Sequence, residues 1–445
     1  MTTTFFAAGS EVLAPGQDGY AESAATMFAA GTPDLVVRPR DASGVAAALR
    51  HAASAGLPVS VRSGGHSPAG FAAVAGGMVI DLRYLSAVRI LDHGTRRVRI
   101  GAGATWGGVA ASLRQAGLAL TAGDTASVGV GGLMLAGGIG WMTRKYGLAI
   151  DNLIRAELVT ADGQLVRADA ERHAGLFWGL RGGGGNFGVA VSFDCAAQPV
   201  GAVHFGAITY RLDRLPGSAT AGLRSLVTRW LDLVRASDEN LTTALALVPP
   251  MMGRPATVML RACYASQDTA AAAAALAPFR RLAPVATDAI GVVPYASVLD
   301  EGVMPPGFGV EMRNTFFRSL GDEPVTGSVE LFRAGAAVEL RGLGGAFGRV
   351  PPDATAFAHR DAEVLLVAAV MIPPGAPRER AGQALAAWPA VAACGAGPYV
   401  GFLGPAAPAE VAAAYPPATY ERLAAVKRRY DPANVFRRNH NIRPA

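Results

Sequence analysis

Glycine is crowded into one part of this chain. Between Gly64 and Gly188 it recurs in GGH, GAGATWGG, GVGG, AGGIG and GGGGNFG. No fixed period relates these clusters, which excludes a repeat array. Such density means many tight turns, or backbone that passes close to a large ligand. Between Gly123 and Gly140 there are seven glycines in eighteen residues. The backbone entropy lost by ordering them favours close approach to a cofactor over a plain set of turns.

The segments between the glycines are short and mixed. Ala42 to Ala55 has Val45, Ala48, Leu49 and Ala52 at helical spacing, with Asp41 or Ser43 as cap. Pro58 to Val61, Met78 to Leu82 and Arg97 to Ile100 read as strands, and Val109 to Ala116 as a helix stopped by Gly117. Asn152 to Thr160 alternates, Ala161-Asp162-Gly163 makes a hairpin turn, and Val189 to Phe193 is a further strand. From about Val203 the texture changes. Strand-like runs at Ala207 to Leu212, Thr242 to Leu247, Thr257 to Cys263 and Ala336 to Arg341 are joined by helical stretches such as Thr269 to Leu276 and Arg378 to Trp388. Tyr420 to Arg429 reads as an amphipathic helix with its cations in the last turn, and Asp431-Pro432 as the cap and first residue of a new turn. The class is α+β, and 445 residues are more than one core usually serves, so two domains are expected.

Composition narrows the function classes. Half the residues are apolar, which excludes a disordered chain. The net charge of +6 is nearly all arginine and scattered, with its densest cluster at Lys427, Arg428 and Arg429. No aromatics are interleaved with it, so it reads as solvated basic surface and not as a nucleic-acid site. Cys195, Cys263 and Cys394 stand too far apart for a C-x-x-C or zinc spacing, and read as buried thiols; no metal is expected. The start, MTTTFFAAGSEVLAPG, lacks the basic and apolar regions of a signal peptide, and Val364 to Ile372 is too short to span a bilayer. A soluble cytoplasmic protein without membrane contact is expected.

Three motifs carry chemistry. Arg62-Ser63-Gly64-Gly65-His66-Ser67 follows a strand, where successive N–H groups can nest a phosphate. Alone it reads more readily as a structural turn with a surface histidine. Gly123-Asp124-Thr125-Ala126-Ser127-Val128-Gly129-Val130-Gly131-Gly132 runs on to Gly137-Gly138-Ile139-Gly140-Trp141. Leu180 to Gly188, with four consecutive glycines between Trp178 and Phe187, is either a linker or a packed turn beneath a cofactor.

Taken together, RSGGHS, GDTASVGVGG, GGIGWMTRKYGLAIDN, LFWGLRGGGGNFG and the tail YERLAAVKRRYDPANVFRRNHNIRP closely resemble the berberine-bridge-enzyme-like FAD-linked oxidases of the vanillyl-alcohol-oxidase and p-cresol-methylhydroxylase superfamily. The likeness runs in order from about Val36 to Pro444. It implies a two-part FAD-binding domain of the p-cresol-methylhydroxylase type, residues 33–202 completed by 418–445. Residues 203–417 would form a substrate domain, an antiparallel sheet backed by helices that roofs the isoalloxazine. It implies FAD bonded through its 8α-methyl carbon to His66. FAD contacts are expected from Arg62, Ser63, Gly64, Gly65 and Ser67, and from Gly123, Thr125, Ser127, Val128, Gly131 and Gly132. Gly137, Gly138, Gly140, Val189 and Asn439 complete the set. Some relatives add a cysteine link to flavin C6. Thr125 stands at that cysteine's place, so a single bond is expected.

The resemblance weakens at the catalytic base. The family pattern Tyr-x-Asn-Tyr reads here Tyr399-Val400-Gly401-Phe402, and Phe402 has no proton to exchange. Tyr399 and Tyr146 are the remaining catalytic candidates, with plain packing equally open for each. Glu339 and Arg341 alternate on one strand and share a face, as a buried ion pair or a pocket pair. The expected activity is an oxidase that moves hydride from a small organic substrate to flavin N5, with O2 as acceptor. The alternative, prompted by Phe402, is a redox-neutral cyclase in natural-product biosynthesis. Substrate identity and oligomeric state are not legible.

Overall fold

A computed structural model describes residues 9–301, 304–305 and 307–445. The first eight residues of the N-terminal stretch read above lie outside the described residues.

The described residues form three sheets. A four-stranded sheet takes Glu11–Leu13, Leu35–Arg38, Met78–Asp81 and Val59–Arg62 in that spatial order. Its last three strands run parallel. The helix Ala42–Ala55 makes the crossover, capped by Asp41, whose carboxylate accepts from Gly44 N at 2.8 Å. A five-stranded antiparallel sheet follows, in the order Val88–Asp92, Arg97–Gly101, Val189–Ala196, Leu153–Val159, Leu165–Asp169. The helix expected over Val109 to Ala116 spans Trp106–Arg114, and Gly117 takes a positive φ just beyond it.

The third sheet has eight antiparallel strands. Six of them run in the order Ala202–Tyr210, Thr257–Tyr264, Leu241–Val248, Ala337–Gly342, Val364–Ile372 and Gly309–Phe317. Val285–Asp288 and Gly291–Pro294 both pair with the first of these. One face of the sheet carries Leu245, Leu260, Val338, Leu340, Leu366 and Ala368, packed against the helices Ala219–Ala236, Thr269–Arg280 and Asp322–Arg333. The longest of these shows Leu223, Leu226, Val227, Trp230, Leu231 and Val234 on its buried stripe. The other face carries Ala244, Glu339, Arg341, Leu365 and Phe316, and looks toward the glycine loops.

Several expectations are corrected. Arg378 to Trp388 is not one helix but two short ones, Glu379–Ala384 and Trp388–Ala393. Trp388 starts the second, and Pro389 sits in its first turn because it has no N–H to continue the first. The turn expected at Asp431-Pro432 does form, with Asn434 N donating to Asp431 O at 3.0 Å and Val435 N to Asp431 Oδ1 at 2.8 Å, and Asp431 is also the C-cap of the helix Pro417–Tyr430. Lys427 is not surface charge. It is fully buried and ion-paired to the equally buried Asp431 at 2.6 Å. Cys394 is exposed, whereas Cys195 and Cys263 are buried. Among the described residues no helix is long and apolar enough to cross a membrane.

Candidate FAD and substrate site

The glycine loops, the tail and the edge of the large sheet enclose one cavity of about 530 Å³. Arg62, Ser63, Gly64, Gly65, His66 and Ser67 line it together with Gly123, Thr125, Val128, Gly131, Gly132, Val189 and Asn439. Ser127, Gly137, Gly138 and Gly140 do not. Ser127 Oγ donates to Glu301 O at 2.9 Å, and a Cβ on Gly140 would fall 1.7 Å from Ala122 O. These residues shape the loops from behind. The cavity also takes residues that the motifs did not single out. These are Thr26, Met27 and Phe28, then Phe71, Met304, Met312 and Tyr415, while Asn186, Arg438 and His440 join them from within the quoted motifs.

The first two loops are locked to each other. Ser63 Oγ donates to Ala102 O at 2.7 Å and accepts from Gly131 N at 3.2 Å. Gly64 and Gly129 pack so closely that neither has room for a side chain. Backbone N–H groups are thereby held at the wall where an anion or a flavin would lie.

His66 is half-buried at the cavity wall, and its ring makes no hydrogen bond to a described residue. Burial and the neighbouring Arg62 guanidinium hold its pKa below the ordinary value. The ring is therefore a neutral imidazole with a free lone pair, which is the nucleophilic form.

The tail reaches the same wall. Asn186 binds it on three sides: Nδ2 donates to His440 O at 3.1 Å, Oδ1 accepts from Ile442 N at 3.0 Å, and its carbonyl accepts from Lys427 Nζ at 2.8 Å. Asn439 Nδ2 donates to Gly185 O and Phe436 O, both at 3.0 Å, while its Oδ1 is buried without a partner. An orphaned amide oxygen at the cavity wall suits a ligand with an N–H edge, such as the pyrimidine edge of a flavin. His440 donates from Nε2 to Leu403 O at 3.1 Å, and burial pushes its pKa down to about 4.

Of the two tyrosines, only Tyr399 lines the cavity. Its hydroxyl accepts from Gly138 N at 3.0 Å, and burial raises its pKa to about 12. Its ring stands edge-on to Phe402 at 5.2 Å. Tyr146 packs against the hydrophobic core that holds Trp106, Val130 and Phe193, with Lys145 over its ring, and it does not line the cavity. The Glu339–Arg341 pair is an ion pair of 2.6 Å, and Arg341 also binds Asp124 of the second loop at 2.6 Å. Arg341 lies over the Phe402 ring at 5.0 Å. Phe402 faces the cavity and Arg341 does not.

A loop-bound neutral histidine, clamped glycine strands and an orphaned amide oxygen together define a flavin-holding site. The comparisons with known proteins agree. Residues 33–169 match the FAD binding domain family and residues 399–443 the family described as berberine and berberine like. The chain is 33% identical over 430 residues to (R)-6-hydroxynicotine oxidase of Paenarthrobacter nicotinovorans, covering 93% of this chain and 91% of that one. The solved structure of 6-hydroxy-D-nicotine oxidase from Arthrobacter nicotinovorans superposes with a TM-score of 0.88 at 29% identity, over 100% of both chains. Glucooligosaccharide oxidase of Acremonium strictum shares the fold, with a TM-score of 0.83 at 21% identity and 98% and 97% coverage. The chain belongs to the berberine-bridge-enzyme-like FAD-linked oxidases of the vanillyl-alcohol-oxidase and p-cresol-methylhydroxylase superfamily. It is an FAD-dependent oxidase, and its relatives do not favour the redox-neutral alternative.

Proposed function

We propose that this oxidase carries FAD on a single covalent bond from His66 and takes hydride from a small, uncharged, largely apolar organic substrate. Bound FAD would accept the hydride at N5 and return the electrons to O2. Residues 33–202 and 418–445 act in this reading as one cofactor unit, and 203–417 as the substrate unit. The tail's hydrogen bonds to Asn186 support that division.

The observation that carries the substrate class is the lining contributed by the described residues between 203 and 417. It consists of Met304, Met312, Tyr399, Val400, Gly401, Phe402 and Tyr415. No charged or amide side chain of that region reaches the cavity. A sugar would leave several hydroxyls without partners there, at the cost of desolvating each one. The named substrates of the nicotine oxidase relatives are small heterocycles, whereas the glucooligosaccharide oxidase shares only the fold.

Tyr399 cannot be the base near neutral pH, because its phenol is held protonated. It orients substrate by donating its own proton in a hydrogen bond, while Gly138 N donates to it. For attachment, His66 would supply its neutral ring nitrogen to the 8α carbon of bound FAD, which would give up a proton there and take the electron pair into its ring system, with O2 as the oxidant that removes it again. Thr125, with its hydroxyl turned to Asp124 Oδ1 at 3.0 Å, has no thiolate to form the second bond named for the glucooligosaccharide oxidase.

Two measurements test the reading. Acid-precipitated protein should stay yellow, and colour in the supernatant would remove the His66 bond. Anaerobic mixing should bleach the flavin with apolar heteroaromatic amines or alcohols and not with oligosaccharides. The reverse preference would overturn the substrate class.

A further inference from the structure

Behind the main cavity lies a second, much smaller chamber of about 20 Å³. Asp124 borders both. The chamber's other walls include Trp141 and Thr143 from the glycine-loop side, and Thr242, Glu339 and Arg341 from the large sheet. Besides Arg341 Nε, which meets Glu339 only as an ion pair, two of its groups are buried and find no hydrogen-bond partner: Trp141 Nε1, on a side chain 4% exposed, and Thr242 Oγ1, on one 7% exposed. Buried polar groups in folded proteins are almost always satisfied, so these two point to an unseen partner.

The chemistry of the walls selects that partner. The volume suits a water molecule, which needs about 10 to 15 Å³ of such space. A cation is disfavoured by the indole N–H and the Arg341 guanidinium, which only donate. An anion is disfavoured by the carboxylates of Asp124 and Glu339. Water can accept from Trp141 and donate to a carboxylate, with Thr242 as third partner.

We propose that the chamber holds an ordered water that joins Glu339 to Asp124 and forms a proton path to the cavity wall. Trp141 and Thr242 are its positioning residues. Glu339 keeps 30% of its side chain exposed and so exchanges protons with solvent. Asp124 faces Arg341, Arg261 with its partner Asp300, Tyr295, Tyr399 and, through Arg341, Glu339. It relays a proton without storing it, because the two arginines hold it ionised.

The path has a use in this enzyme, and that use rests on the oxidase reading. Converting O2 to H2O2 takes two electrons and two protons. An anionic reduced flavin supplies both electrons and the N5 proton. The second proton must come from outside, and it arrives here through Glu339, the water and Asp124.

The test has a structural arm and a kinetic arm. A high-resolution crystal structure of the holoenzyme should show water within hydrogen-bond distance of Trp141 Nε1 and Thr242 Oγ1. A dry chamber overturns the proposal. For the kinetics, the holoenzyme is reduced anaerobically with dithionite, mixed with air-saturated buffer, and followed at the visible flavin band. Thr242→Val and Trp141→Phe, each with full flavin content, should slow reoxidation on the order of tenfold and raise its solvent deuterium isotope effect. Thr242→Ser should behave as wild type. Wild-type rates and isotope effects in both altered variants overturn the path even if water is present. A reduced wild type that air does not reoxidise fails the oxidase reading instead, and the path with it.

Discussion

Gly64 and Gly129 meet backbone to backbone. A Cβ on Gly64 would lie 2.3 Å from Gly129 N, and one on Gly129 would lie 2.2 Å from Gly64 N. The histidine loop and the second glycine loop are therefore a single wall, and neither can move without the other.

Gly129→Ala should break that wall. Overpacking against rigid backbone costs about 1 to 3 kcal/mol, and here no flexible side chain can yield. Thermal unfolding should shift down, and the purified variant should carry markedly less FAD. Full flavin content at the wild-type melting temperature would contradict the packing.

His66→Ala should keep FAD bound but release it on acid precipitation. In the wild type, attachment from added FAD should proceed fully at neutral pH and slow only in acid. The reason is that burial and Arg62 hold the His66 pKa below its ordinary value. A rate that rises as pH falls would contradict a neutral imidazole nucleophile.

His440 makes the protein sensitive to acid. Its pKa is about 4 in the folded chain against 6.5 ordinarily. As pH falls through 6.5 the unfolded chain takes up this proton and the folded chain does not. Stability is thus intact above 6.5 and lost toward 4. The slope is about 1.4 kcal/mol per pH unit from this one group. Denaturant unfolding of wild type and His440→Gln across that range should show the variant losing less. Parallel losses would exclude His440 as the source.

Lys427→Met should destabilise by about 3 to 5 kcal/mol, because Asp431 is left charged, buried and without its counter-ion. Lys427 Nζ also holds Asn186 O and Phe436 O, at 2.8 and 2.9 Å. Limited proteolysis should therefore cut the variant's tail first. An unchanged cleavage pattern would show that the lysine does not hold the tail.

Tyr399→Phe should lower flavin reduction by about tenfold and not by the 10² to 10⁴ expected for loss of a general base. It leaves Gly138 N without its acceptor, which costs about 1 to 3 kcal/mol in stability. Stopped-flow reduction with any substrate found by the bleaching screen measures this. A loss of several thousandfold would restore Tyr399 as the base.

The cofactor half of the site was legible because glycine at a close approach leaves a compositional trace. The loop at Arg62 to Ser67 alone read as a turn with a surface histidine, and only the joint resemblance of the motifs pointed it and the loop around Thr125 to FAD. The substrate half was not legible. Met304 and Met312 are ordinary apolar residues until a sheet edge carries them to the cavity, and Thr26 to Phe28 arrive only because Met27 N bonds to Gly65 O at 3.0 Å. Lys427 misled because a lysine beside two arginines looks like surface, and only the fold supplies the carboxylate that buries it. The long helix Ala219–Ala236 was not singled out in the sequence, and its position under the large sheet depends on pairings far apart in the chain.

The three hydrogen bonds of Asn186 also set an order of assembly. The glycine loop at Gly183 is synthesised more than half a chain before Ile442, which caps the same asparagine. The flavin site is therefore incomplete until Ile442 has been synthesised. Loading of FAD becomes an event that follows synthesis of this tail segment, and a chain truncated before Asn439 is barred from maturing into coloured enzyme.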